Sequence, residues 1–188
     1  MNSRLALGGL AALSLGLMSA AVSAQTAGIT GSPLPDQPYT LIYPSVMVTA
    51  GELGGPVTLN HPSVPLQCVL AVIPVEDIGW TADGALATLD PAAVTAGWGE
   101  TLPGFVLGAS QVVAYQSDPA LQYEGVSAES GENGPVTLVH TETVAQGNGY
   151  TLDCFYPAEV GEQARPIVDS IIANFSTKQD AQPVVAVP

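Results

Sequence analysis

The sequence has 188 residues, only 11% of them charged, with three Lys and Arg against 17 Asp and Glu and a formal net charge of −14. So acidic a chain repels phosphate backbones and anionic lipid surfaces over a Debye length of roughly 8 Å at physiological salt, which excludes nucleic acid as a partner. The length suffices for one domain with a real core, and not comfortably for two.

Residues 1–24 read as a signal peptide. Arg4 precedes the uncharged run 5–22, and Val22-Ser23-Ala24 offers the side chains that a signal peptidase accepts before a cut after Ala24. Gly8, Gly9, Gly16, Ser14 and Ser19 dilute the apolarity that a retained anchor needs. No later segment is long and apolar enough to cross a bilayer, so no stable membrane insertion is expected after cleavage, and the location implied is periplasmic or secreted. Removal of the leader takes Arg4 with it and leaves Arg165 and Lys178 as the basic residues. Residues 25–37 read as a flexible leader, 38–175 as a single domain and 176–188 as a flexible tail.

Seven segments rich in β-branched and aromatic residues read as strands: 39–43, 56–61, 66–73, 105–115, 121–127, 136–144 and 150–156. Gln146-Gly147-Asn148-Gly149 supplies residues that tolerate the positive φ of a hairpin turn. A first helix opens at Asp90-Pro91, where the carboxylate can cap and the proline lacks no needed donor, and runs to about Thr101 with Val94 and Trp98 on one face. A second covers 161–175, with Ala164, Val168, Ile171, Ile172 and Phe175 at helical spacing. The expected architecture is α+β, an antiparallel sheet packed by two helices.

An internal repeat is also legible. Leu41, Tyr43, Val46 and Gly51-Glu52, then Gly55-Pro56-Val57-Thr58-Leu59 and His61, recur as Leu121, Tyr123, Val126 and Gly131-Glu132, then Gly134-Pro135-Val136-Thr137-Leu138 and His140. Each copy goes on to a strand with a cysteine and then a helical segment, giving pseudo-repeats 38–104 and 118–175. If the halves pack about a twofold axis, Cys68 and Cys154 meet across it. They are the two cysteines of a chain bound for an oxidising compartment and are expected to form a disulfide. The loop so closed is long enough for the chain-entropy model to assign the bond on the order of 4 kcal/mol.

Gly149-Tyr150-Thr151-Leu152-Asp153-Cys154, a short acidic loop, and then Arg165-Pro166-Ile167-Val168 through Ile172-Ala173-Asn174-Phe175-Ser176 resemble the closing hairpin strand and last helix of PsbP-like α+β domains. The resemblance covers about a quarter of the exported chain, and its motifs are not catalytic. It implies a small extracytoplasmic accessory module that assists a larger assembly without chemistry of its own.

The candidate chemistry is sparse. His61 and His140 hold equivalent places in the two copies, and a twofold axis could bring both imidazoles to half of a metal site completed by a carboxylate such as Glu142. No H-x-H or H-E-x-x-H spacing fixes two ligands on one element. The nearest approach to a nucleophile elbow, Gly108-Ala109-Ser110-Gln111-Val112, lacks its second glycine, and bonded cysteines cannot serve as nucleophiles. Glu129 and Glu132 suit a solvated turn better than a calcium loop. Asn174-Phe175-Ser176 fits a glycosylation sequon at a helix end and reads as a chance match. No motif requires a cofactor. The function expected is therefore that of an exported, non-catalytic binding or accessory module with a protein partner in the cell envelope. The alternatives are a small periplasmic hydrolase or a small-ligand or metal-binding protein.

Overall fold

The computed structural model describes residues 27–30, 38–51, 55–76, 79–129 and 134–187. The signal peptide expected over residues 1–24 lies outside them, as do the repeat's Glu52, Gly131 and Glu132. Among the described residues all seven expected strands form, and two more join them. The nine are β1 (Ala27–Thr30), β2 (Leu41–Pro44), β3 (Val48–Gly51), β4 (Val57–Asn60), β5 (Gln67–Pro74), β6 (Phe105–Ala114), β7 (Pro119–Ser127), β8 (Val136–Ala145) and β9 (Asn148–Pro157). Among the described residues three helices are present where two were expected: α1 (Ala82–Thr88), α2 (Pro91–Gly99) and α3 (Gly161–Asn174), the last preceded by a 3-10 turn at Ala158–Val160.

Strands β3 to β9 form one antiparallel sheet in the order β3-β4-β5-β9-β8-β7-β6. The chain builds one half as a meander, β3 to β5, crosses through α1 and α2 to the far edge at β6, and meanders back until β9 lies beside β5. The β8–β9 hairpin closes on a two-residue turn in which Gln146 and Gly147 take φ of 54° and 76°, the left-handed pair that matches strand twist. Strand β1 pairs with β2 outside this sheet, so part of the expected leader is built into the structure.

Side chains alternate between the sheet's faces, and each face has its own core. On one face α3 packs Ala164, Val168, Ile171 and Phe175 against Leu59, Cys68, Leu70, Val139, Leu152 and Cys154. On the other, α1 and α2 bring Leu86, Leu89, Val94 and Trp98 over Phe105, Leu121, Tyr123, Leu138 and Phe155. Helix α1 starts at Thr81, whose Oγ1 accepts from the Gly84 amide at 3.1 Å, and α2 starts at Asp90, whose Oδ1 accepts from the Ala92 amide at 2.9 Å. Cys68 and Cys154 are directly opposite in the β5–β9 register, with Cα atoms 4.0 Å apart, and are joined as a disulfide.

The segment after α3, expected as a flexible tail, is tied back to the domain. Thr40 and Ser176 exchange backbone hydrogen bonds, and Asn174 Oδ1 accepts from the amides of Val184 and Val185. Asn174 and Phe175 are both fully buried, which fits a sequon matched by chance.

Gly125 is required by packing. A Cβ there would stand 2.2 Å from the Phe105 ring and 2.6 Å from the Val106 carbonyl oxygen, and the backbone atom cannot move aside cheaply. Gly125→Ala is expected to cost about 1–3 kcal/mol in urea unfolding. The Cys68→Ala/Cys154→Ala pair should lose about 4 kcal/mol under non-reducing conditions, because the bond spans 86 residues of sequence. Wild-type stability in that double variant would refute the constraint.

Candidate functional site

The β7–β8–β9 register lines up one row of polar side chains beneath α2. Tyr123 pairs with His140 across β7 and β8, and His140 pairs with Asp153 across β8 and β9. His140 Nδ1 is 2.5 Å from Asp153 Oδ1, and its Nε2 faces Glu142 Oε2 at 3.5 Å, outside hydrogen-bond geometry. The Tyr123 ring stacks on the imidazole with centroids 4.3 Å apart, and Trp98 approaches it edge-on at 6.1 Å. Trp98 Nε1 donates to the Tyr123 hydroxyl at 2.8 Å, which ties α2 to the row. His140 is left 5% exposed.

Burial opposes a charge on His140, but the carboxylates of Asp153 and Glu142 outweigh it and raise its pKa to about 8. Burial likewise pushes the Tyr123 phenol up to about 12, aided by the same two carboxylates. The imidazolium is thus held between two carboxylates and against an aromatic face, an arrangement that favours the cation and locks the ring. Its polar neighbours are carboxylates and aromatic rings, and both cysteines are used in the disulfide. The cluster clamps α2 to the sheet and stores a charge, and among the described residues no serine, threonine or cysteine side chain is hydrogen-bonded to His140.

His61 is placed elsewhere. It follows β4, where its Nδ1 accepts from the amides of Ser63 and Val64 at 3.2 and 2.9 Å, and it lines a cavity of about 300 Å³ with Asn60 and Gln67. The structure does not bring His61 and His140 together. The reason is register: Leu59 is opposite Cys68 in the α3 core, whereas Val139, not Leu138, is opposite Cys154. The matched rows ending at the two histidines therefore belong to opposite faces, since a one-residue offset inverts a strand's sides. Among the described residues no group of three or more His, Cys, Asp or Glu gathers as a metal-ligand set. Sequence reasoning placed Glu142 beside His140 and missed Asp153, Tyr123 and Trp98.

Two open cavities adjoin this row. The larger, about 460 Å³, lies between α1, α2 and the sheet and includes Trp80, Asp90, Leu121 and Glu142. The smaller, about 130 Å³, shares Trp80 and Glu142 with it.

The pKa of His140 has a direct consequence for stability. A histidine whose folded pKa is about 8, above its ordinary 6.5, stabilises the fold fully below about pH 6.5 and loses that contribution as pH rises through 8. Urea unfolding should therefore show about 2 kcal/mol less stability at pH 9 than at pH 6. Asp153→Asn should flatten that dependence. A wild-type profile that is already flat over this range would exclude a charged His140 clamp.

No protein-family model matches the chain, and no curated protein matches it in sequence. Solved structures do. The solution structure of cyanobacterial PsbP (CyanoP) from Synechocystis sp. PCC 6803 aligns at a TM-score of 0.58 and 11% identity over 86% of this chain and 97% of that one. A protein of Bacteroides thetaiotaomicron aligns at 0.51 and 10% identity over 84% of this chain and 50% of its own. LpqN of Mycobacterium tuberculosis, involved in cell envelope biogenesis, aligns at 0.46 and 16% identity over 80% and 91%. The chain has the PsbP-like α+β fold that its C-terminal strand and helix suggested.

Proposed function

We propose that this chain is an exported, non-catalytic accessory module that binds a protein partner in the cell envelope, through strand β6. Export is supported by the leader sequence at residues 1–24 and by the Cys68–Cys154 bond, which suits an oxidising compartment. The accessory role is what the PsbP resemblance implies. A non-catalytic role is supported by His140, which is sealed beneath Trp98 with carboxylates for polar neighbours.

The observation that carries the partner reading is the sheet edge. Strand β6 is ten residues long, ends the sheet, and carries no charged side chain in Phe105–Ala114. Edges of this kind are usually blunted by lysine, proline or short length, and here the interruptions are a register shift between Leu107 and Ser110 and the Leu107 amide, which donates to Thr95 Oγ1 of α2 at 3.5 Å. Beside it Val106, 65% exposed, is paired with Val126, 41% exposed. An extended segment of another protein could add to this edge as a further strand and cover the two valines. The net charge of −14 opposes a second copy of this chain in that position and favours a neutral or basic segment.

A photo-crosslinking residue at Val106, compared with one at the exposed Asp83 of α1, tests this in intact host cells. The expected result is one dominant adduct with an envelope protein from position 106 and none from position 83. The same adduct from both positions, or none from either, would overturn the β6 assignment.

A further inference from the structure

We propose that the partner's added strand pairs with Ser110–Ala114 alone, as an extended segment of about five residues, and sends one bulky apolar side chain into the cavity at the β6–β7 turn. This rests on the β6 reading and narrows it to one half of the strand and one kind of segment.

Antiparallel pairing turns the backbone groups of alternate residues toward the neighbouring strand and those of the others away from it. The Tyr115 amide donates to the Asp118 carbonyl at 3.0 Å, so Tyr115 faces β7, and counting back along the register Val113 and Gln111 do so too. Ser110, Val112 and Ala114 therefore point their amides and carbonyls outward, and among the described residues no turn or loop backbone group meets them. On the N-terminal side of the register shift the outward amides are already engaged. Phe105 donates to the Leu102 carbonyl at 3.0 Å, and Leu107 donates to Thr95 Oγ1 of α2 at 3.5 Å. A further strand gains a ladder of bonds only on the C-terminal side. A segment that continues past the shift covers Val106 and Val126 through its side chains.

A second feature coincides with that open half. A cavity of about 460 Å³, well within the size of side-chain and ligand pockets, is bordered by Val112, Val113, Ala114 and Pro119. Val112 and Val113 project from opposite faces of the sheet, so a space bordered by both lies along the edge itself. The polar part of its wall is committed to the segment after α3. Gln116 Nε2 donates to the Gln182 carbonyl, Ser117 Oγ lies 3.0 Å from Thr177 Oγ1, and Asp118 Oδ2 accepts from Thr177 Oγ1 at 2.5 Å. What stays open is apolar, with Val112 and Val113 half-buried and Ala114 and Pro119 exposed. An apolar side chain gains from burial here, whereas a charged or amide side chain would exchange water for a wall whose polar groups are already bonded. The lining includes the Asp118 carboxylate and no basic group, so the positions flanking that side chain suit neutral or basic residues. Strand addition of this sort draws affinity from main-chain bonds and selectivity from a pocket for an alternate side chain, and both are present on the same five residues, Ser110–Ala114.

Two measurements test the footprint. Amide exchange in the purified, disulfide-bonded chain, read by NMR and corrected for intrinsic rates, should leave Val112 and Ala114 at least tenfold less protected than Phe105 and Leu107. In intact host cells with the photo-crosslinking residue at Val106, Val112→Pro should cut the envelope adduct at least tenfold. A proline is tolerated on an edge strand where the amide faces outward, but it removes the donor that an added strand needs. Ala114→Trp, which fills the cavity from an exposed position, should have the same effect, and Val112→Ala, which keeps the backbone donor, should leave the adduct within about threefold. Protection of Val112 and Ala114 equal to that of Leu107, an undiminished adduct in Val112→Pro or Ala114→Trp, or an equal loss in Val112→Ala would overturn the footprint while the β6 reading stood. Absence of the adduct from the otherwise unsubstituted chain would remove the β6 reading and the footprint with it.

Discussion

The pairing of β5 with β9 is the constraint on which the remaining architecture depends. The sheet is assembled from two meanders that are far apart in sequence, and β5–β9 is the seam between them. Cys68 and Cys154 hold that seam in one register, so the alternation of every neighbouring strand follows from it. Leu59 and Val139, opposite the two cysteines on either side, are thereby committed to the α3 core. Asp153, one residue before Cys154, is by the same token committed to the other face, where His140 meets it. A slip of one residue at the seam would place a carboxylate under α3 and turn the leucines to the opposite face.

The two faces are used differently. Beneath α3 the sheet is apolar almost throughout, with Tyr115 and Thr141 sharing a hydrogen bond inside it at 2.5 Å. Beneath α1 and α2 a smaller apolar core is interrupted by the Tyr123, His140 and Asp153 row. Buried charge is costly unless paired, and the row offsets that cost with the Asp153 hydrogen bond to Nδ1, the Glu142 charge 3.5 Å from Nε2 and the Tyr123 ring. The result is a polar seam that fixes where α2 crosses the strands, with the Trp98 indole donating to Tyr123 as the contact from the helix side. Concavity collects at the margin of this face, where α1 and α2 diverge and the sheet carries Glu142.

Much of this was legible in the sequence. Alternation and β-branched content located seven strands because half-buried strands advertise their period, and capping at Asp90 and the apolar stripe of residues 161–175 located two helices. The missed elements lack those signals. Helix α1 is seven residues with a glycine inside and one buried side chain, and β3 is exposed at every position. The site was nearer to hand than it seemed. With Gln146 and Gly147 as the two turn residues, counting outward in equal steps puts His140 opposite Asp153. Turn and strands were recognised, but the pairing they imply was not drawn. The repeat misled for a related reason: its matches aligned Leu59 with Leu138, and conformity of letters carries no information about which side of a sheet a residue occupies.

The backbone exchange between Thr40 and Ser176 brings the start of the domain and the close of its last helix to one corner. Joining those two points by a short linker and opening the chain between β7 and β8 would yield a rearranged order of elements with the same neighbours. Any label, tether or second module attached at either of the two points would hang from that single corner, beside the β6–β7 turn whose Gln116 amide donates to the Phe175 carbonyl.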